Sequence, residues 1–253
     1  MTENNNHKPQ VAPAREPAIM LPGVITALLG LMVAVHLARV FSLSEAGDLN
    51  LMLWTAFLPV RFLYPDEIPG GLFPLLWTPL SYAFLHEGWE HLIINCAWLA
   101  IFGTPVARRY GVVPVLAVFA LSSIAGAALY AVTTLPPLAT PMPHYLVGAS
   151  GGISGLTGAA CRFMFQPLLV ARDPATGEPR ALGRRLASFR DLATHGNARF
   201  FILLWLVMNA AAPFLPLLFG ADSGISWQAH LAGFIVGLLA PSVIEGRRME
   251  PKA

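Results

Sequence analysis

Charge is scarce in this chain: Asp, Glu, Lys and Arg make up 12% of its 253 residues, against about 25% in an average soluble domain. So small a charged fraction excludes a disordered chain, most soluble enzymes and a nucleic-acid binder with its basic face. Cysteine is almost absent. Cys96 and Cys161 both sit in apolar surroundings, so no disulfide framework is expected. No internal repeat is visible either, which removes the inverted-repeat signature common in transporters. What is plentiful is apolar: hydrophobic residues reach 55% and mean hydropathy is +0.60. The class is an all-α, multi-spanning membrane protein.

A hydrocarbon core of about 30 Å needs about 20 helical residues to cross it. Runs of that size without Asp, Glu, Lys or Arg occupy residues 17–38, 200–221 and 223–244. A shorter one, 91–107, is bounded by Glu90 and by Arg108 and Arg109. Residues 110–161 hold two more, separated by a loop at 136–143 whose Pro136, Pro137, Pro141 and Pro143 cannot stay helical. Six spans are therefore expected, near 19–41, 90–108, 112–134, 149–169, 199–219 and 226–244, as one domain over 19–244 between tails at 1–18 and 245–253. The first span is read as a retained anchor, because its run is too long for a signal peptide and no small-x-small cleavage site follows it.

Basic residues orient the bundle. Lys8 and Arg15 precede the first span, Arg108 and Arg109 close the second, and Arg162, Arg172, Arg180, Arg184, Arg185, Arg190 and Arg199 crowd the connection between the fourth and fifth. Of the 16 Lys and Arg, only Arg39 and Arg61 fall on the other side. Both termini are thus expected in the cytoplasm, with the Arg-rich segment a topology signal near anionic lipid. Residues 42–89 are too broken by proline and glycine to cross, and read as a segment lying in the outer interface.

Strongly polar side chains inside a bilayer cost about 2.5–3.5 kcal/mol unless they face protein or water. The second span carries His91 and Asn95, four apart and on one helical face. The fourth opens with Gly148-Ala149-Ser150-Gly151, and the sixth contains His230 followed by Gly233 and Gly237. These three spans all run from outside to inside, so His91, Asn95, Ser150 and His230 share one depth below the outer surface. Gly151 with Gly155, and Gly233 with Gly237, form two GxxxG faces that would let the helices approach closely and bring Ser150 to His230. A serine becomes a nucleophile when a neutral imidazole takes its proton, and the resulting oxyanion needs N–H donors. No carboxylate lies at this depth, so the arrangement is a dyad.

These residues make the chain resemble the rhomboid family of intramembrane serine proteases. The family's second-span pattern matches His86 through His91 to Asn95, its GxSGxxxG matches Gly148 through Gly155, and its AHxxGxxxG matches Ala229 through Gly237. The resemblance covers residues 20–244. It implies Ser150 as nucleophile, His230 as general base, and His91, Asn95 and the Ser150 amide as the oxyanion hole. His86 would tie down the interfacial segment. Implied partners are membrane-protein substrates, whose transmembrane helices would enter between spans two and five, and membrane lipid. No metal, cofactor or nucleic acid is implied. Two positions depart from the pattern: Trp77-Thr78 stands where the family often has Trp-Arg, and Ser154 where it often has an aromatic supporting the histidine.

Other readings are weaker. Gly148 to Gly152 also fits the α/β-hydrolase elbow, but no strand precedes it. A catalytically silent rhomboid-like helix binder, or a transporter, is the rival from another class. His7, His36, His144 and His195 are assigned no role, and Asn209 in the fifth span reads as a buried interhelical hydrogen bond in preference to a residue lining a gate. Ser154 is expected to bond its own helix, or else His230.

Overall fold

The computed structural model describes residues 20–135, 145–173, 177–211 and 226–249. Helix dominates because lipid offers the backbone no hydrogen-bond partner, so each segment must satisfy its own N–H and C=O groups. Helices cover Gly23–Ser42 (α1), Glu45–Thr55 (α2), Thr78–Ser81 (α3), Trp89–Trp98 (α4), Thr104–Tyr110 (α5), Val112–Thr134 (α6), Ser150–Cys161 (α7), Phe189–Thr194 (α8), Gly196–Ala211 (α9) and Trp227–Met249 (α10). A π-helical turn at Leu99–Gly103 joins α4 to α5. It precedes Pro105, whose ring would press on the Ile101 carbonyl in a regular α-helix. Four helical stretches are long and apolar enough to cross a membrane: Gly23–Ser42, Trp89–Tyr110, Val112–Thr134 and Trp227–Gly246. The tail at 1–18, the loop at 136–143 and the far part of the span near 199–219 lie outside the described residues.

The fourth expected span is shorter than its apolar run. α7 has 12 residues, about 18 Å of rise, too little to cross a bilayer alone. Length is not required of it, because every residue from Gly151 to Cys161 is buried in protein. It is wedged between α6 and α10, with Ile153 and Leu156 in one core with Ile25, Leu99, Phe102 and Phe119.

Past Cys161 the chain turns and forms an antiparallel ribbon, Leu168–Arg172 (β1) with Pro179–Arg184 (β2), bulged between Leu169 and Val170. The protein is otherwise mostly helical, and this short ribbon occupies part of the Arg-rich segment. Arginines at this end also tie the chain together. Buried Arg162 donates from Nε to Ala187 O at 2.8 Å and from Nη1 to Leu238 O at 2.6 Å, and its guanidinium lies 4.4 Å from the Phe189 ring centre. Arg109 donates to Glu245 (2.8 Å) and to Arg184 O (2.6 Å), while Arg108 reaches Met20 O (2.9 Å). The start of α1, the end of α5, the ribbon and the end of α10, which continues past 244, therefore meet at one end of the bundle.

At the other end the segment between α1 and α4 is tied down by two arginines. Arg39 makes a two-pronged pair with Asp48 (2.7 and 3.0 Å) and donates to His86 O at 2.8 Å. That pairing holds the Asp48 carboxyl below its usual range. Arg61 is fully buried and donates to the carbonyls of Pro69 and Gly71, each at 2.8 Å, and of Leu53. Trp77 Nε1 donates to Trp54 O at 2.7 Å, and Thr78 beside it is buried. With threonine at position 78, Arg61 supplies the guanidinium that gathers this segment's carbonyls.

Candidate functional site

Three backbone features aim the start of α7. Leu146 and Phe57 exchange a pair of N–H···O bonds (2.8 and 3.2 Å), a single β-bridge that pins the approach to the helix to the segment between α1 and α4. Gly148 then donates its N–H to Tyr82 O at 3.0 Å and turns with φ +109°, where side-chain-bearing residues are strained. Ser150 follows as the first residue of α7. The first N–H groups of a helix have no acceptor within it, and its N-terminus is the positive end of the dipole. An anion forming beside Ser150 meets both.

His91 reaches the same place from α4. A Cβ built on Gly148 would lie 2.6 Å from both Cε1 and Nε2 of His91, so the imidazole packs on the backbone two residues before Ser150. Asn95 is buried one turn further along, its Nδ2 donating to His91 O at 2.9 Å. One amide hydrogen of Asn95 is thus committed to its own helix and the other is not. His86 is fully buried and stands edge-on to His91, ring centres 5.1 Å apart. Burial, aided by the neighbouring imidazole, depresses its pKa to about 3, so it is neutral.

The glycines bring α10 against α7. A Cβ on Gly233 would collide with the Gly151 carbonyl oxygen, and one on Gly237 with that of Gly155. The two expected GxxxG faces do meet. Because 151 pairs with 233 and 155 with 237, the helices run parallel and in register, which puts His230 about two residues, or about 3 Å of rise, to the N-terminal side of the level of Ser150. Ser122 of α6 closes the crossing, its Oγ donating to Gly233 O at 3.3 Å.

The hydrogen bond that reaches the His230 ring comes from α9 rather than from Ser150. Nδ1 of His230 lies 2.7 Å from Oδ1 of Asn209, and Nδ2 of Asn209 donates to Trp205 O at 2.8 Å. Asn209 is thus an interhelical hydrogen-bonding residue, with the ring of His230 as its partner. Ser154 is buried in α7, and no hydrogen bond from its hydroxyl is found among the described residues. His36, in α1, is buried edge-on to Trp89 at 4.6 Å. No sequence pattern assigned a role to Tyr82 or Ser122, and Arg61 entered only as a charge in the topology count. Each is a polar group in an apolar stretch, which was the available signal.

A family model described as Rhomboid domain matches residues 74–246, a stretch that contains all three motifs. The chain belongs to the rhomboid family. It is an integral membrane protein. Curated relatives of this rhomboid include Rhomboid protease AarA of Providencia stuartii, 29% identical over 170 residues, which covers 64% of this chain and 53% of that protein. Rhomboid protease GlpG of Haemophilus influenzae is 27% identical over 165 residues, 65% of this chain and 67% of that protein. RHOMBOID-like protein 5 of Arabidopsis thaliana is 23% identical over 163 residues, 64% and 43% of the two chains. The matches thus span about half the length of AarA and of RHOMBOID-like protein 5, and two thirds of GlpG.

Proposed function

We propose that this rhomboid is an intramembrane serine endopeptidase that cuts other membrane proteins in or near their transmembrane helices. The observation that carries the reading is the glycine-mediated approach of α7 and α10, which brings the helix that Ser150 opens against the helix bearing His230. Two of the relatives are named proteases, in keeping with it. Ser150 Oγ attacks the carbonyl carbon of the scissile peptide bond while its proton passes to His230 Nε2. The oxyanion takes hydrogen bonds from the Ser150 N–H, His91 and Asn95. Collapse breaks the C–N bond, and His230 returns the proton to the leaving amine. Water then hydrolyses the acyl-serine by the same proton route.

The same reading has six spans (α1, α4 with α5, α6, α7, α9 and α10) in a bacterial inner membrane, both termini cytoplasmic. Arginines 108, 109, 162 and 184, gathered at one end, support that orientation. Leu72, Phe73 and Leu76 are exposed in the segment between α1 and α4, as residues lying in the outer interface would be.

The deciding experiment is a co-expression screen against single-span membrane proteins, with Ser150→Ala as control and a fluorophosphonate probe on the purified protein. Cleavage lost in Ser150→Ala, with the probe on Ser150, is the expected result. No cleavage and no labelling would turn the assignment toward a silent helix-binding protein.

A further inference from the structure

The bond from α9 to His230 has a definite polarity. In Asn209, Nδ2 is spent as a donor on the Trp205 carbonyl of its own helix, which can only accept. The oxygen of the amide is therefore the atom turned to His230, 2.7 Å from Nδ1. An amide oxygen cannot donate, so the proton of a neutral imidazole must sit on Nδ1, leaving the lone pair on Nε2. That is the tautomer a base needs if it works through Nε2. The geometry is braced from behind: Trp205 stacks on Phe234 at 4.2 Å with 17° between the rings, locking α9 to α10 one turn beyond His230.

We infer that Asn209 is a positioning residue for the general base, fixing the tautomer and orientation of His230 from α9 as an aspartate does in a soluble serine-protease triad. The inference rests on the Ser150–His230 reading.

Its test uses the whole protein in detergent. Asn209→Leu preserves volume and removes the acceptor; kcat should fall about fivefold to tenfold, the scale of one buried hydrogen bond, with KM little changed. Asn209→Asp restores an acceptor oxygen and should recover most of that loss. Independently of activity, ¹⁵N spectra of histidine-labelled wild type should show His230 protonated at Nδ1, assigned by the signal lost in His230→Gln, and Asn209→Leu should lose that preference. If Leu and Asp variants lose kcat equally, or wild-type His230 carries its proton on Nε2, the inference is wrong. Activity surviving Ser150→Ala would instead remove the dyad itself. Essential Ser150 and His230 with a fully active Asn209→Leu would remove only the positioning role.

Discussion

Gly148→Ala is the sharpest single perturbation of the site, because two separate costs fall on one methyl group. The backbone there has φ +109°, and a residue with a Cβ in such a region is strained by about 1–3 kcal/mol. The new carbon would also sit 2.6 Å from His91 Cε1 and Nε2, whereas ordinary contact begins at 3.4 Å, so the ring must retreat by about 0.8 Å. Forcing a buried neighbour aside costs about 1–3 kcal/mol more. Together these come to about 2–6 kcal/mol, so thermal unfolding in detergent should occur about 4–24 °C lower, taking about 2–4 °C per kcal/mol for a chain of this size. A misplacement of about 1 Å costs up to 10²-fold in rate. On the proposed assignment, kcat should fall tenfold to a hundredfold, at a nearly constant KM.

The pair Gly148→Ala with His91→Ala separates the two costs. Removing the imidazole removes the collision but not the backbone strain. The double variant should regain about half the stability lost on adding the methyl and be no slower than His91→Ala alone. Wild-type unfolding temperature and kcat in Gly148→Ala would refute the packing argument. Fully additive losses in kcat would show that Gly148 acts on Ser150 by some route other than His91.

Arg61→Met should strand three carbonyls that a fully buried guanidinium now satisfies, costing about 3–5 kcal/mol in unfolding stability, with Arg61→Lys losing less. His86 binds no proton in the fold until about pH 3, whereas its ordinary pKa is 6.5; the unfolded chain binds more protons between those values, so stability should be full above pH 6.5 and decline as pH falls toward 3, and His86→Phe should flatten that part of the pH–stability curve. With Cys96 and Cys161 replaced by alanine, an impermeant maleimide on intact cells should label a cysteine at Asp66 and spare one at Arg172, the reverse pattern overturning the orientation. Ser154→Ala should be nearly silent in kcat because Asn209 holds the imidazole; a tenfold loss at unchanged KM would give the orienting role back to Ser154.

The site was legible in the sequence because its residues have few other reasons to be where they are. A serine, two histidines and an asparagine in apolar helices carry a cost that only protein neighbours or water can offset, and paired glycines at i and i+4 have close helix approach as their ordinary use. The packing of Gly151 on Gly233 and Gly155 on Gly237 follows from that logic. What stayed hidden is what hydropathy cannot encode. The stretch from Gly151 to Cys161 is as apolar as a lipid-facing span, yet protein surrounds it, and transfer energies do not distinguish burial in lipid from burial in a bundle. The 149–169 run looks longer because the apolar strand residues Leu168 and Leu169 follow α7 after a short turn. Arg61 could be flagged as a lone cation in an interfacial segment, but its acceptors are main-chain carbonyls, which every residue type carries and no pattern marks. The His230–Asn209 bond was half visible: a polar residue in the fifth span needs a partner, but which one depends on how α9 is rotated about its axis. That rotation is set by Trp205 against Phe234, a contact between two residues that would each be unremarked in any membrane helix. The orientation of the His230 ring is thus decided by side chains with no chemistry of their own.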